Sequence, residues 1–95
     1  MFSPTIYIMA NFRNGTIYVG VTSNLPKRVY EHKHNIIKGF STKDNCKCLV
    51  YYEIYANIKD AILREKQIKS RSRKYKLNLI ETMNPDWVDL YDSIC

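Results

Sequence analysis

Ninety-five residues make one domain, because a chain of this size buries only about 60 to 65% of its unfolded surface and has no room for a second core. A composition of 45% hydrophobic, 13% aromatic and 25% charged residues excludes a disordered chain, a collagen-like repeat and a coiled coil. The formal charge of +6 is unevenly spread: residues 1–80 hold all fifteen bases and five acids, a net +10, whereas Glu81, Asp86, Asp89 and Asp92 leave residues 81–95 at −4, a basic body and acidic tail that point to a polyanionic partner.

Along the chain, Thr5 to Ala10 and Thr16 to Thr22 are β-branched and aromatic runs separated by Asn14-Gly15. Asn-Gly tolerates positive φ and is the strongest short hairpin signal, so two antiparallel strands are expected. Ser23 or Asn24 can cap a helix with Pro26 in its first turn, running from about Leu25 to Ile37 and stopped by Gly39. Cys48 to Tyr55 is a third strand by β propensity. Asn57 with Asp60 opens a second helix to about Lys69, and a third runs from Ser72 to Met83 before Asn84-Pro85. The order β-β-α-β-α-α describes an α+β domain with no internal repeat.

Met1 to Ala10 lacks the charged start of a secretory signal, and no apolar run approaches the 18 or so residues of a membrane span. Cys46, Cys48 and Cys95 have no paired spacing, so a reducing, cytoplasmic setting without membrane or disulfides is expected. Cys46 and Cys48 have no second Cys/His pair to complete a structural zinc site.

Three polar residues fall on apolar stripes. Arg28 and His32, one turn apart, share the stripe of Leu25, Val29 and Ile36 on the first helix. Glu65 sits within the stripe of Ile58, Ala61, Ile62 and Ile68 on the second. An inward carboxylate is normally paired, protonated or metal-bound. Two accounts stay open at this level. Arg28 and Glu65 form a structural ion pair, with His32 a satisfied buried histidine and Tyr7 and Tyr18 plain core aromatics; or the five side chains converge as a site.

A converging set would suit phosphodiester hydrolysis. A carboxylate without thiolates suits a hard cation such as Mg2+, whose remaining ligands are water and substrate phosphate. Arg28 has the planar fork for phosphate oxygens, and a tyrosine becomes a general base where a cation or hydrogen bond favours its phenolate, with His32 accepting the phenolic proton or orienting the attacking water. Between Arg64 and Lys76, the bases Arg64, Lys66, Lys69, Arg71, Arg73, Lys74 and Lys76 flank Glu65. Most are expected on exposed helix faces as backbone phosphate contacts.

These residues together resemble the GIY-YIG endonuclease superfamily, in particular its small stand-alone bacterial members related to the nuclease module of the excision-repair enzyme UvrC. Thr5-Ile6-Tyr7 matches the first signature and Tyr18-Val19-Gly20 the second. The helix Arg of the family falls on Arg28, the position one turn later on His32, the metal-binding Glu on Glu65 and the late Asn on Asn84. Ala61 to Lys69, and Leu79 through Asn84-Pro85-Asp86-Trp87 to Leu90, look like the small subgroup. Thr5 replaces the first signature glycine, and Ser70-Arg71-Ser72 stands where close relatives have a tryptophan.

The resemblance implies a three-stranded antiparallel sheet flanked by helices, Mg2+ or Mn2+ on Glu65, and cleavage of a DNA phosphodiester by Tyr7, Tyr18, Arg28, His32 and Glu65. Gly20, Lys27, Lys66, Lys69 and Asn84 are the candidate DNA contacts. A non-catalytic nucleic-acid binding module, and a homodimerising or partner-recruiting role for the acidic tail, are the rival readings.

Overall fold

The computed structural model describes residues 3–36 and 45–95, within which the chain runs β1 (Thr5–Ala10), β2 (Ile17–Thr22), α1 (Leu25–Lys33), β3 (Cys48–Ile54), α2 (Ile58–Ser70), α3 (Arg73–Met83) and α4 (Tyr91–Ile94). The strands form one antiparallel sheet in the order β2-β1-β3, the expected α+β architecture. Strand β1 is central and every one of its residues is buried, because both faces of the sheet are covered.

Strand alternation divides the interior into two layers. Ile6, Ile8 and Ala10 of β1 meet Val19, Val50, Ala61, Ile68, Ile80 and Trp87 on the side of α2 and α3. Tyr7 and Met9 meet Leu25, Val29, Cys46 and Leu49 on the side of α1, with Tyr18, Tyr52 and Tyr91 partly buried around them. Each fully buried Leu or Ile contributes about 1.5–3 kcal/mol. The β1–β3 register shifts between Ile8 and Met9, which pair with Tyr51 and Leu49. This bulge leaves Val50 and Tyr51 in the same layer.

Local chemistry sets the element ends. Asn14 adopts φ 59° in the hairpin loop, while the Asn11 side chain accepts from the amides of Phe12 and Thr16. The side chains of Asn24, Asn57 and Ser72 accept from the amides of Lys27, Asp60 and Tyr75, capping α1, α2 and α3.

Helix α1 ends earlier than its apolar spacing predicts. Asn35 takes φ 56°, its amide donates to the His32 carbonyl, and the Ile36 amide donates to the Glu31 carbonyl. This is a Schellman stop with Asn in the left-handed position. Ile36 is consequently exposed and not part of the buried stripe; the expected stop at Gly39 lies outside the described residues.

On α2 only Ala61 and Ile68 are buried; Ile58 and Ile62 lie at the exposed margin, so the buried stripe is narrower than the spacing suggests. Helix α4 has no counterpart in the sequence pattern. It packs against α1, with Leu90, Tyr91 and Ile94 against the second layer. Leading to it, the chain covers the outer side of β3. The Leu90 amide donates to the Leu49 carbonyl, Asp89 accepts from the Leu49 amide, and Asn84 donates to the Val50 carbonyl. None of the helices among the described residues is long and apolar enough to cross a membrane.

Candidate active site

The hairpin register places Tyr7 opposite Gly20, and period-two alternation puts Tyr18 and Gly20 on the same face as Tyr7. Helix α1 crosses this face, burying Leu25, Val29 and His32. Four residues separate Arg28 from His32, so both project from one side of α1.

Tyr7 has no exposed surface, and its hydroxyl lies 3.0 Å from His32 Nε2. The Tyr18 ring centroid is 6.4 Å from that of Tyr7 and 5.3 Å from that of His32. Tyr18 is half-buried, so of the two tyrosines it is the one solvent reaches. Space above Tyr7 exists because residue 20 is glycine: a Cβ there would come 2.5 Å from the Tyr7 hydroxyl.

Burial dominates the electrostatics. It pushes the Tyr7 phenol well above the usual tyrosine range, with Tyr18 adding to the rise and Arg28 pulling against it. Burial, then the Arg28 charge, lower His32 to about 4. His32 is therefore neutral at pH 7.

Arg28 is not bound to Glu65. Its Nε is 3.5 Å from Glu31, one turn along the same helix, and its side chain stays 39% exposed. Thr22, Ser23, Asn24, Lys27, Arg28 and Glu31 line an open cleft of about 330 Å³, so Lys27 joins Arg28 on a solvent-facing wall. Sequence reasoning missed Glu31; its i,i+3 spacing from Arg28 is the signal that would have found it.

Glu65 comes from the other layer. Its helix packs on β1 and β2, and its last turn passes the β2 edge, where the Lys69 ammonium stands 6.0 Å from the Tyr18 ring centroid. Glu65, 15% exposed, lies 3.2 Å from that ammonium. The pair brings the carboxylate to the rim beside Tyr18. A half-buried oxygen donor already holding a positive charge suits a hard cation; among the described residues, no group of three or more His, Cys, Asp or Glu is gathered to hold a metal.

Asn84, an expected DNA contact, and Arg64 and Arg73 of the basic run are engaged within the protein. Asn84 is 4% exposed; its amide donates to the Val50 and Val88 carbonyls at 3.2 and 2.7 Å and accepts from the Val88 amide at 3.0 Å. That set is structural. Arg64 turns inward: its guanidinium donates to both Glu53 oxygens, at 2.9 and 3.1 Å, and to Tyr75 at 3.1 Å. Tyr51 and Tyr55 donate to the same carboxylate. Burial alone would raise Glu53, but these hydrogen bonds outweigh it and hold the carboxyl below its ordinary range. Arg73 donates to the carbonyls of Asn14 and Gly15 in the hairpin loop. Lys66 and Lys69 remain exposed.

Comparison with known proteins identifies the family. The GIY-YIG catalytic domain matches residues 3–78. The chain is similar to a UPF0213 protein of Clostridium perfringens, 32% identical over 77 residues that span 81% of this chain and 82% of that one. A UPF0213 protein of Syntrophus aciditrophicus is 38% identical over 72 residues, 75% of this chain and 82% of its own. Another, of Staphylococcus haemolyticus, is 30% identical over 76 residues, covering 80% and 92%. No solved structure matches. With a matching domain over most of its length and small bacterial relatives of similar extent, the chain belongs to the GIY-YIG family of nucleases.

Proposed function

We propose that the protein is a metal-dependent endonuclease that hydrolyses DNA phosphodiester bonds. The observation that carries this reading is the Tyr7–His32 hydrogen bond at 3.0 Å beneath a half-exposed Tyr18. It pairs a buried phenol with a neutral imidazole beside Tyr18, whose ring is approached by the Lys69 that pairs with Glu65.

Glu65 would hold Mg2+ or Mn2+, which supplies charge stabilisation to phosphate oxygens when bound. Arg28, half-exposed and paired with Glu31 on its own helix, presents its guanidinium to the scissile phosphate and offsets charge that builds there. Tyr18 contacts the attacking water. Tyr7 holds the His32 ring in place, and His32, kept neutral by burial, accepts the proton. Lys27, Lys66 and Lys69 contact backbone phosphates and carry no base readout, so target choice rests on DNA shape or a partner. Gly20 contributes by leaving room above Tyr7.

Nicking of supercoiled DNA in Mg2+ or Mn2+, compared with the Glu65→Gln protein, tests the reading. Loss of metal-dependent product with an unchanged fold is expected, and undiminished cleavage by the variant removes Glu65 from its role. DNA binding without product in either metal would instead leave a nucleic-acid binding module on the same fold.

A further inference from the structure

Lys69 occupies an unusual position. Its Nζ lies 3.2 Å from the Glu65 carboxylate and 6.0 Å from the centroid of the Tyr18 ring, so one ammonium sits between the acid and the aromatic face that border the site. Glu N-terminal to Lys at i,i+4 is the favourable orientation for such a pair. The Lys69 side chain is 49% exposed whereas Glu65 is 15% exposed. The cation is thus free to swing out while the carboxylate is not.

We propose that Lys69 is an exchangeable internal counter-ion of Glu65: a divalent cation arriving at Glu65 displaces it, and the displaced ammonium then takes a DNA phosphate. This rests on the reading of Glu65 as the metal ligand. Two cations compete for one carboxylate, and close approach of an ammonium and a divalent ion is repulsive. Metal held without DNA therefore leaves Lys69 unpaired beside it, and DNA bound without metal leaves Lys69 drawn back to Glu65. Each ligand favours the other through a single side chain, a coupling that is reciprocal by linkage. The neighbouring Lys66 is exposed and, with no ion pair to Glu65 in the structure, provides the comparison for net charge alone.

Mn2+ titration followed by electron paramagnetic resonance, without DNA, tests the displacement. Lys69→Met keeps the stem and helix propensity and should bind Mn2+ about fivefold more tightly than the parent protein, from the charge removed next to the ion. Lys66→Met should stay within about twofold of the parent. Equal or weaker Mn2+ binding by Lys69→Met, or the same gain in Lys66→Met, overturns the proposal. Glu65→Gln should abolish this binding; if it does not, the metal assignment itself fails, a result separable from the first.

Fluorescence anisotropy of a duplex oligonucleotide in EDTA tests the second half. Glu65→Gln releases Lys69 and should tighten DNA binding about threefold or more in the parent background and not in the Lys69→Met background. An equal gain in both would mean simple removal of a repelling carboxylate, and the exchange would be wrong.

Discussion

Gly20 faces Tyr7 across the β1–β2 ladder, and the Tyr7 hydroxyl lies 2.5 Å from the point a Cβ on residue 20 would occupy. That hydroxyl also meets His32. The glycine of the second signature is therefore a matter of room above a phenol. Gly20→Ala must push Tyr7 off His32, with an expected cost of about 1–3 kcal/mol in stability and a fall of about 10- to 100-fold in turnover. Unfolding curves and single-turnover nicking measure the two. Full activity with an intact fold would contradict the packing argument.

Acid should weaken the fold through His32. Its folded value of about 4 lies below the ordinary 6.5, so between these values the unfolded chain binds the extra proton. The neutral-histidine contribution is present above pH 6.5 and is lost as pH falls toward 4. Linkage gives a loss of about 2 kcal/mol between pH 7 and pH 5, to be read from urea unfolding at both. His32→Gln should flatten that window, and the NMR titration of the ring should show a neutral imidazole at pH 5.5.

Arg64 and Lys66 should separate cleanly. Arg64→Met leaves the Glu53 carboxylate short of its bidentate partner and should cost about 1–3 kcal/mol in chemical unfolding, with the salt slope of DNA binding unchanged. Lys66→Met, on an exposed position, should alter stability by less than about 0.5 kcal/mol and reduce the salt slope by about one. A reversed pattern would return Arg64 to the DNA-contacting surface.

Asn84→Ala removes three hydrogen bonds to the backbone around Val50 and Val88. Stability should drop by about 2–3 kcal/mol, with faster hydrogen exchange at Val88. Affinity for DNA, measured well below the new melting point, should not change; a selective loss of affinity would restore a substrate role.

Much of this molecule is legible in its sequence. Strand positions follow from β-branched runs, helix starts from Asn24, Asn57 and Ser72, and convergence of Tyr7, Tyr18, Arg28 and His32 follows from period-two strands facing a helix with one-turn spacing. The early stop of α1 was harder to read because Asn35 competes with an apolar spacing that continues to Ile36. Partner choice was illegible for a different reason. Arg64 with Glu53 depends on the angle at which α2 lies on the sheet, where Tyr51, two residues before Glu53 on the same face of β3, joins the same carboxylate. Period counting assigns a face to a charge but not its counter-charge. The tail shows the same limit: Asp89, counted as part of an acidic surface, is bound to Lys33 and the Leu49 amide.

The strap from Asn84 to Leu90 bears on how the protein behaves in a crowd. Outer strands offer unpaired amides and carbonyls that template strand addition and aggregation. Here Leu49 has both backbone groups taken and Val50 its carbonyl, so the start of β3 gives a foreign strand no register to copy. Loosening the strap, rather than damaging the core, is then the shortest route from this fold to an insoluble one.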